Sequence, residues 1–237
     1  MRHMDLAGFW ALIERSAQET TDPIERGDWL AEALTGLTDE ELIDFQDHFD
    51  AQTDLVNTWL IWHAASLIQD GCSDDGFSGF RAWLVGLGPV VVDRVADDPD
   101  RLADQPEVQR LAGRHSRTWA EEEWPYWEEL EFVAVHEYER RYSDCASIYH
   151  AQASRLTTAE PLPQPVEEER WDHHDLAESR QRLPRLAAMF PQAGPSQATP
   201  AAAQASLMQA KEGLERRLAE SGRTLVESFR GIPPRTR

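Results

Sequence analysis

A thiol and two adjacent carboxylates lie close together in the stretch 68–87, where Cys72 precedes Asp74 and Asp75. A carboxylate pair can hold a cation, or act as the acid and the base of a reaction. The calcium-binding loop is a poor match, because it needs glycine where Asp75 stands and glutamate where Arg81 stands. The alternative is structural: Ser73 or Asp74 caps a helix, whose positive end favours carboxylates.

One histidine in the preceding segment is a second candidate for chemistry. His63 follows Trp62 in a strongly apolar stretch. A lone histidine in such a stretch is usually a hydrogen-bonded core residue, and the functional alternative is a base in a pocket near the two carboxylates. We assign no catalytic residue. The candidate binding residues are His63, Asp74, Asp75 and Trp83.

Complete metal and cofactor motifs are absent from the sequence. His136 and Glu137 begin a zinc-protease pattern, but Arg140 stands where the second histidine is needed. The adjacent His173 and His174 would point about 100° apart on a helix, so they do not readily chelate one ion. There is also no phosphate-binding loop, nucleophile elbow, CxxC or GxGxxG pattern. We therefore expect no metal and no cofactor.

Acidic and aromatic side chains alternate in a later stretch of the chain. Three consecutive glutamates, residues 121–123, are flanked by Trp119, Trp124, Tyr126 and Trp127. Such a run is usually a solvated helix start whose rings turn inward, because acids favour the first turn. The alternative is a surface that grips a cationic partner through ring faces and carboxylates.

The charge is strongly negative and unevenly distributed. The chain of 237 residues has a formal net charge of −20. Residues 1–150 contain 32 acidic and 11 basic side chains, whereas residues 151–237 contain 11 and 12. An acidic body repels phosphates, so we expect no nucleic-acid partner. Such a charge is usually that of a solvated acidic surface, and the alternative is a protein partner with a basic surface.

Location is predicted from composition. No apolar window of about 18 residues predicts a membrane span. The first residues, MRHMDLAGFW, lack the pattern of a secretory signal, and two cysteines allow at most one disulfide bond. These features favour a cytoplasmic protein without a membrane partner.

Helix signals dominate, and they predict an all-α, irregular multi-helix bundle. Asp5, Asp22 and Thr38 each precede an apolar pattern of helical spacing and are good N-caps. The apolar stretch 55–68 predicts a central helix, with Trp124 and Pro125 starting a late one. Val90 to Val92 resemble a strand but are too few, so a short helix over 89–96 is predicted.

The sequence predicts three regions. Residues 1–155 form a helical domain that holds eight of the nine tryptophans, and residues 156–200 form a proline-rich linker with a short helical patch. Residues 201–230 form a long C-terminal helix whose narrow apolar stripe needs a partner surface. That surface belongs to the domain itself, to another protein, or to a second copy, which would make a homo-oligomer.

The stretch WLIWHAA from Trp59 to Ala65, followed by IQDGCSDDGFSGFRAWLVGL from Ile68 to Leu87, resembles domain of unknown function 4240. That bacterial family is common in actinobacteria, and the resemblance covers roughly residues 1–130. The chain's 22 arginines against one lysine suggest a GC-rich genome. The family name carries no activity. The function favoured is a protein-binding or regulatory module, and the alternative is an enzyme or metal-binding protein whose helical-bundle pocket surrounds Asp74, Asp75 and His63.

Overall fold

The computed structural model describes residues 3–142, 147–156 and 175–191, and over these residues the fold is all-α with no β-strand. The α-helices are α1 (Leu6–Glu19), α2 (Pro23–Thr35), α3 (Asp39–Leu55), α4 (Trp59–Gln69), α5 (Asp74–Gly86), α6 (Pro89–Asp97), α7 (Pro106–Leu111), α8 (Glu128–Tyr142), α9 (Ile148–Leu156), α10 (Leu176–Arg182) and α11 (Pro184–Met189). Short 3-10 helices span Pro99–Asp104, Ser116–Thr118 and Glu121–Glu123. The prediction of an all-α multi-helix fold is confirmed.

Local capping sets the helix starts. The carboxylates of Asp5 and Asp22 accept hydrogen bonds from the first-turn amides of α1 and α2. Thr38 forms a reciprocal capping box with Glu41: the hydroxyl accepts from the Glu41 amide at 3.3 Å, and the Glu41 carboxylate accepts from the Thr38 amide at 2.9 Å. Ser73 caps α5 through its hydroxyl alone, which accepts from the Gly76 amide at 3.1 Å. These predicted starts are confirmed, because each cap acts within three residues.

Two predicted helix boundaries were wrong. The sequence predicts one helix over 55–68. In the structure, α3 extends to Leu55, and a separate helix capped by Thr58 starts at Trp59. The late helix predicted from Trp124 starts only at Glu128. The residues before it are held away from helical geometry by a long-range bond, in which the Trp127 amide donates to the Gly79 carbonyl oxygen at 3.0 Å.

Helix α5 lies at the centre of the core and carries a face built from glycine. Gly79 and Gly86 are two turns apart, so they share that face. A side chain at Gly79 would overlap the ring of Tyr126, and a Cβ atom at Gly86 would lie 2.5 Å from Cε3 of Trp127. The two glycines therefore let the segment before α8 lie directly against α5, and Trp127 is 1 % exposed there.

A buried arginine joins three helices beneath this segment. Arg26 of α2 donates to Ser16 Oγ at 3.1 Å, to the Ile13 carbonyl oxygen at 3.3 Å and to the Gly86 carbonyl oxygen at 2.9 Å. Its guanidinium carbon lies 4.4 Å from the centre of the Trp127 ring. Burial lowers the pKa of Arg26 to about 10, so the group is still charged at neutral pH. The position thus combines a cation–π contact with neutral acceptors from α1 and α5.

Helices α10 and α11 lie inside the stretch that the sequence assigns to a linker with a helical patch. They pack onto the same core: Leu183 and Leu186 are fully buried, and Phe190 is 6 % exposed. The Asp100 carboxylate accepts hydrogen bonds from the amides that open α11, including that of Leu186 at 3.0 Å. At the other end of α11, the Gly113 amide donates to the Met189 carbonyl oxygen. The predicted C-terminal helix over 201–230 lies outside the described residues.

Replacing Leu186 by alanine tests whether α11 belongs to the cooperative core. The leucine is fully buried, so Leu186→Ala should lower the free energy of unfolding by about 3 kcal/mol through lost burial and a cavity. Leu55→Ala is the matched control, because Leu55 is 50 % exposed and its loss should cost less than about 1 kcal/mol. Urea unfolding of both variants measures the difference. Equal stabilities would mean that α11 is not part of the cooperative unit.

Replacing Gly86 by alanine tests the close approach of Trp127. A methyl group there meets a ring with no room to move, which should cost about 3 kcal/mol, offset by about 1 kcal/mol of helix propensity. Gly36→Ala is the control, since Gly36 has αR geometry and its added Cβ would lie 3.6 Å from the nearest atom. Thermal unfolding should show a lower Tm for Gly86→Ala alone, and an unchanged Tm would contradict the packing described.

Candidate functional site

The structure does not gather the predicted binding residues in one cleft. His63 is buried in α4 at 6 % exposure, whereas Asp74 and Asp75 are exposed in the first turn of α5. Trp83 is 8 % exposed and lines the first of the two clefts described below. Neither cleft is lined by His63, Asp74 or Asp75. The binding role of all four residues stays a prediction.

The junction between α4 and α5 is held by stacked rings. Trp59 stacks on Trp62 with centroids 5.0 Å apart, and Trp62 stacks on Phe77 at 4.8 Å, both pairs nearly parallel. The indole nitrogen of Trp62 donates to the Cys72 carbonyl oxygen at 3.0 Å. The residues that carry the family resemblance therefore fasten one helix to the next in this part of the fold.

The Cys72 thiol lies beside this stack and is poorly suited to nucleophilic chemistry. Burial, and secondly the negative charge of Asp74, raise the pKa of Cys72 to about 12. The thiolate is the reactive form of cysteine, and reactive cysteines have electropositive surroundings that lower the pKa. Cys72 is therefore a protonated thiol at neutral pH.

Acidic and aromatic side chains meet in a cleft of about 250 Å³, here called the acidic–aromatic cleft. It lies where the turn before α2, helices α5 and α7 and the glutamate-rich 3-10 helix come together. Trp83 and Trp124 contribute ring surface, and Arg110 contributes a guanidinium. Its carboxylates are those of Asp22, Glu107, Glu122 and Glu123. Four acids against one base give this cleft a negative potential, which favours cations over anions.

Aromatic packing and an ion pair position the glutamate-rich wall. Trp124 packs edge-to-face against the buried Trp119, with ring centroids 5.0 Å apart. Glu123 accepts two bonds from the Arg114 guanidinium, at 2.6 and 2.8 Å, and a third from the Ala120 amide at 2.8 Å. The bonds from Arg114, followed by the amide bond, lower the pKa of Glu123 to about 2. Glu123 therefore remains ionised throughout the physiological range.

The four carboxylates of the cleft differ in the hydrogen bonds and ion pairs that they already form. Asp22 accepts from two amides at the start of α2, and Glu123 is held by Arg114. Glu107 lies 3.8 Å from the Arg110 guanidinium, a long and exposed pair that contributes little. Glu122 is exposed at the rim of the cleft. An incoming cation would consequently meet Glu122 and Glu107 first, with the two indole rings behind them.

A second cleft, of about 170 Å³, lies where α4, the loop after α7 and the end of α11 meet. Its apolar surface comes from Leu67, Ile68 and Phe190, which are almost fully buried in the core. Its polar groups are those of Asp70, Arg114, His115 and Ser116. We call this the amphipathic cleft, because an apolar floor faces a charged rim.

The residues of the two incomplete metal motifs make other contacts where the structure describes them. No group of three or more histidine, cysteine or acidic side chains in the described part of the chain could hold an ion. His136 stacks on Phe132 instead. Of the residues 171–175, only Asp175 is described, and it caps α10. In the same part of the chain, no helix is both long and apolar enough to cross a membrane.

Some of the residues that line the acidic–aromatic cleft were candidates in the sequence analysis. The run of glutamates beside Trp124 was a candidate for gripping a cation, and Trp83 was a candidate binding residue. Asp22, Glu107 and Arg110 were missed as cleft residues, because they come from distant elements and carry ordinary helix-terminus patterns. No local signal would have joined them to the glutamates, since only the packing of α2, α5 and α7 does so.

The raised pKa of Cys72 predicts a slow and pH-dependent reaction with iodoacetamide. In a Cys145→Ser variant, Cys72 is the one remaining cysteine, and at pH 8 it should react about a thousandfold more slowly than an ordinary thiol. The rate should keep rising through pH 10, because the thiolate fraction increases up to the pKa. Mass spectrometry follows the labelling, and unfolding in urea should restore an ordinary rate. A plateau below pH 9 would instead indicate an activated nucleophile.

Comparison with known proteins gives a family without an activity. Neither a curated protein nor a solved structure matches the chain. One family model, described as protein of unknown function (DUF4240), matches residues 4–140. The match spans α1 to most of α8, including the acidic–aromatic cleft and the stacked junction. Because it covers more than half of the chain, this protein belongs to the DUF4240 family.

Proposed function

We propose that this protein is a protein-binding module that holds an arginine side chain of a basic partner in the acidic–aromatic cleft. One observation carries the proposal: a cleft of about 250 Å³ brings Trp83 and Trp124 together with four carboxylates. Aromatic faces and carboxylates are the two surfaces that a guanidinium prefers.

The size of the cleft favours a side chain over a larger ligand. Pockets for drug-sized molecules are usually about 300 Å³ or more, and this one is smaller. A guanidinium head with part of its aliphatic stem suits such a volume. Arginine is favoured over lysine because its planar fork can stack on an indole while donating to two carboxylates.

The charge of the whole chain supports the same partner chemistry. A net charge of −20 speeds encounters with basic proteins and opposes binding to nucleic acids. This long-range term sets the rate of encounter more than the affinity. Specificity would come from the cleft, where the cation leaves water and meets two rings.

The catalytic alternative has less support. It needs His63, Asp74 and Asp75 around one open pocket, and His63 is buried while both aspartates are exposed. The Cys72 thiol nearby has a raised pKa, which opposes a role as nucleophile. The arginine-binding proposal is therefore the one that the described geometry favours.

Binding of a short peptide, acetyl-Gly-Arg-Gly-amide, tests the proposal on the full chain. Glu122→Gln should weaken binding about threefold to tenfold at low salt, because it removes an exposed carboxylate at the cleft rim. Glu14→Gln makes the same charge change on an exposed position of α1 and should leave the affinity unchanged. Calorimetry measures the affinity, and the NMR signals of the tryptophan indole groups report the location.

Two results would contradict the proposal. Equal weakening by Glu122→Gln and Glu14→Gln would show that only the overall charge attracts the peptide. Indole signals of Trp83 and Trp124 that do not move at saturating peptide would place binding elsewhere. A lysine peptide of the same design measures selectivity, and we expect it to bind more weakly because an ammonium cannot stack as a planar fork.

A further inference from the structure

Arg114 lines the amphipathic cleft and pairs with a glutamate that lines the acidic–aromatic cleft. Its guanidinium grips Glu123, which lines the acidic–aromatic cleft, while Arg114 itself lines the amphipathic cleft. The same two terminal nitrogens also donate to the carbonyl oxygens of Arg110 at 3.3 Å and Thr118 at 3.2 Å. One cation thus connects a glutamate on one side with an open, partly apolar cleft on the other.

The amphipathic cleft has the chemistry of a site for a small apolar acid. Its floor of Leu67, Ile68 and Phe190 is suited to a short aliphatic body. Its rim includes Arg114, the exposed His115 and Ser116, residues whose side chains carry groups that can donate to a carboxylate. A volume of about 170 Å³ limits the ligand to a few carbon atoms.

Asp70 determines how such a ligand would lie. Its carboxylate lines the same cleft and repels a second negative charge. Asp70 has a left-handed backbone conformation, φ 61°, at the end of α4, which fixes its place at the rim. The acid group of a ligand would therefore lie on the side of Arg114 and His115, with the aliphatic body over the leucine and isoleucine floor.

We propose that the amphipathic cleft binds a small aliphatic carboxylate, whose acid group competes with Glu123 for Arg114. The side chains of Arg114 and Glu123 are 36 % and 29 % exposed, so a small acid can reach the pair from solvent. Arg114 then pairs with the carboxylate of the ligand instead of that of Glu123. The Glu123 carboxylate is released toward the acidic–aromatic cleft.

The release would couple the two clefts. A freed Glu123 adds an available negative charge to the acidic–aromatic cleft, so the bound acid should strengthen binding of a cation there. By linkage, the cation should strengthen binding of the acid by the same factor. This coupling rests on the proposed arginine-binding function, whereas the carboxylate site itself does not.

Titration of the full chain with 4-methylpentanoate tests the site, with 4-methylpentanamide as its uncharged analogue. We expect millimolar binding of the acid, at least tenfold weaker binding of the amide, and shifts of the Gly113 and His115 backbone amide signals in NMR spectra. Arg114→Gln should weaken binding of the acid at least tenfold. Glu123→Gln should tighten it about threefold, because a competing carboxylate is removed.

The two variants distinguish competition for Arg114 from a general structural effect of breaking the ion pair. Both break the same ion pair, so a merely structural effect would change affinity in the same direction in each. Opposite directions support competition for Arg114, and weakening in both overturns it. Equal binding of acid and amide, or no binding of the acid to Glu123→Gln, also overturns the proposal. Acetyl-leucine, with its terminal carboxylate, distinguishes a peptide end from a free acid as the source.

The failure of this inference is distinguishable from failure of the proposed function. If the arginine peptide does not bind while 4-methylpentanoate does, the arginine-binding proposal fails and the carboxylate site stands. If the peptide binds and the acid does not, only the carboxylate site fails. If both bind, the acid should raise the peptide affinity about threefold in the wild-type chain and not in Arg114→Gln.

Discussion

The buried guanidinium of Arg26 is the contact on which the central packing depends. It is 9 % exposed, and none of the ion pairs among the described residues includes it. Its acceptors are neutral: a serine hydroxyl and carbonyl oxygens of α1 and α5. A buried cation is costly unless its surroundings supply several aligned dipoles. The relative positions of α1, α2 and α5 are therefore constrained together, since a shift of any one would leave part of the charge unsatisfied.

The candidate site inherits its geometry from this contact. Arg26 lies on the Trp127 ring, and Trp127 in turn lies against the glycine face of α5. The segment before α8 is thereby fixed at its end, and Trp124 and Glu123 lie only a few residues earlier. A second support comes from Arg114, which donates two hydrogen bonds to Glu123. A cleft built from a loop can thus present its carboxylates and rings in one arrangement without a bound ligand, which reduces the ordering cost of binding.

Sequence reasoning succeeded where the physics is local and failed where it is not. The caps at Asp5, Asp22 and Thr38 were predictable because donor and acceptor are at most three residues apart. The start of α8 was not, because a bond to Gly79 outweighs the helix preference of the residues after Trp124. The role of Arg26 could not be predicted for the same reason, because its acceptor in α5, Gly86, is 60 positions away in the sequence. The two clefts are likewise products of packing, and their charged residues look in sequence like ordinary helix ends.

The large negative charge does not by itself mark a partner surface, because part of it is neutralised within the fold. Along α3, Asp44 and Asp47 pair with Arg155 of α9, and Gln152 donates to Asp47 and Asp50. Those carboxylates hold one helix of the chain against another. The acids of the acidic–aromatic cleft differ, since exposed Glu122 and the long Glu107–Arg110 pair lie beside indole rings. The basic partner that we propose would gain most at this cleft, where charge, ring surface and concavity coincide, and less along α3, where it would have to displace α9.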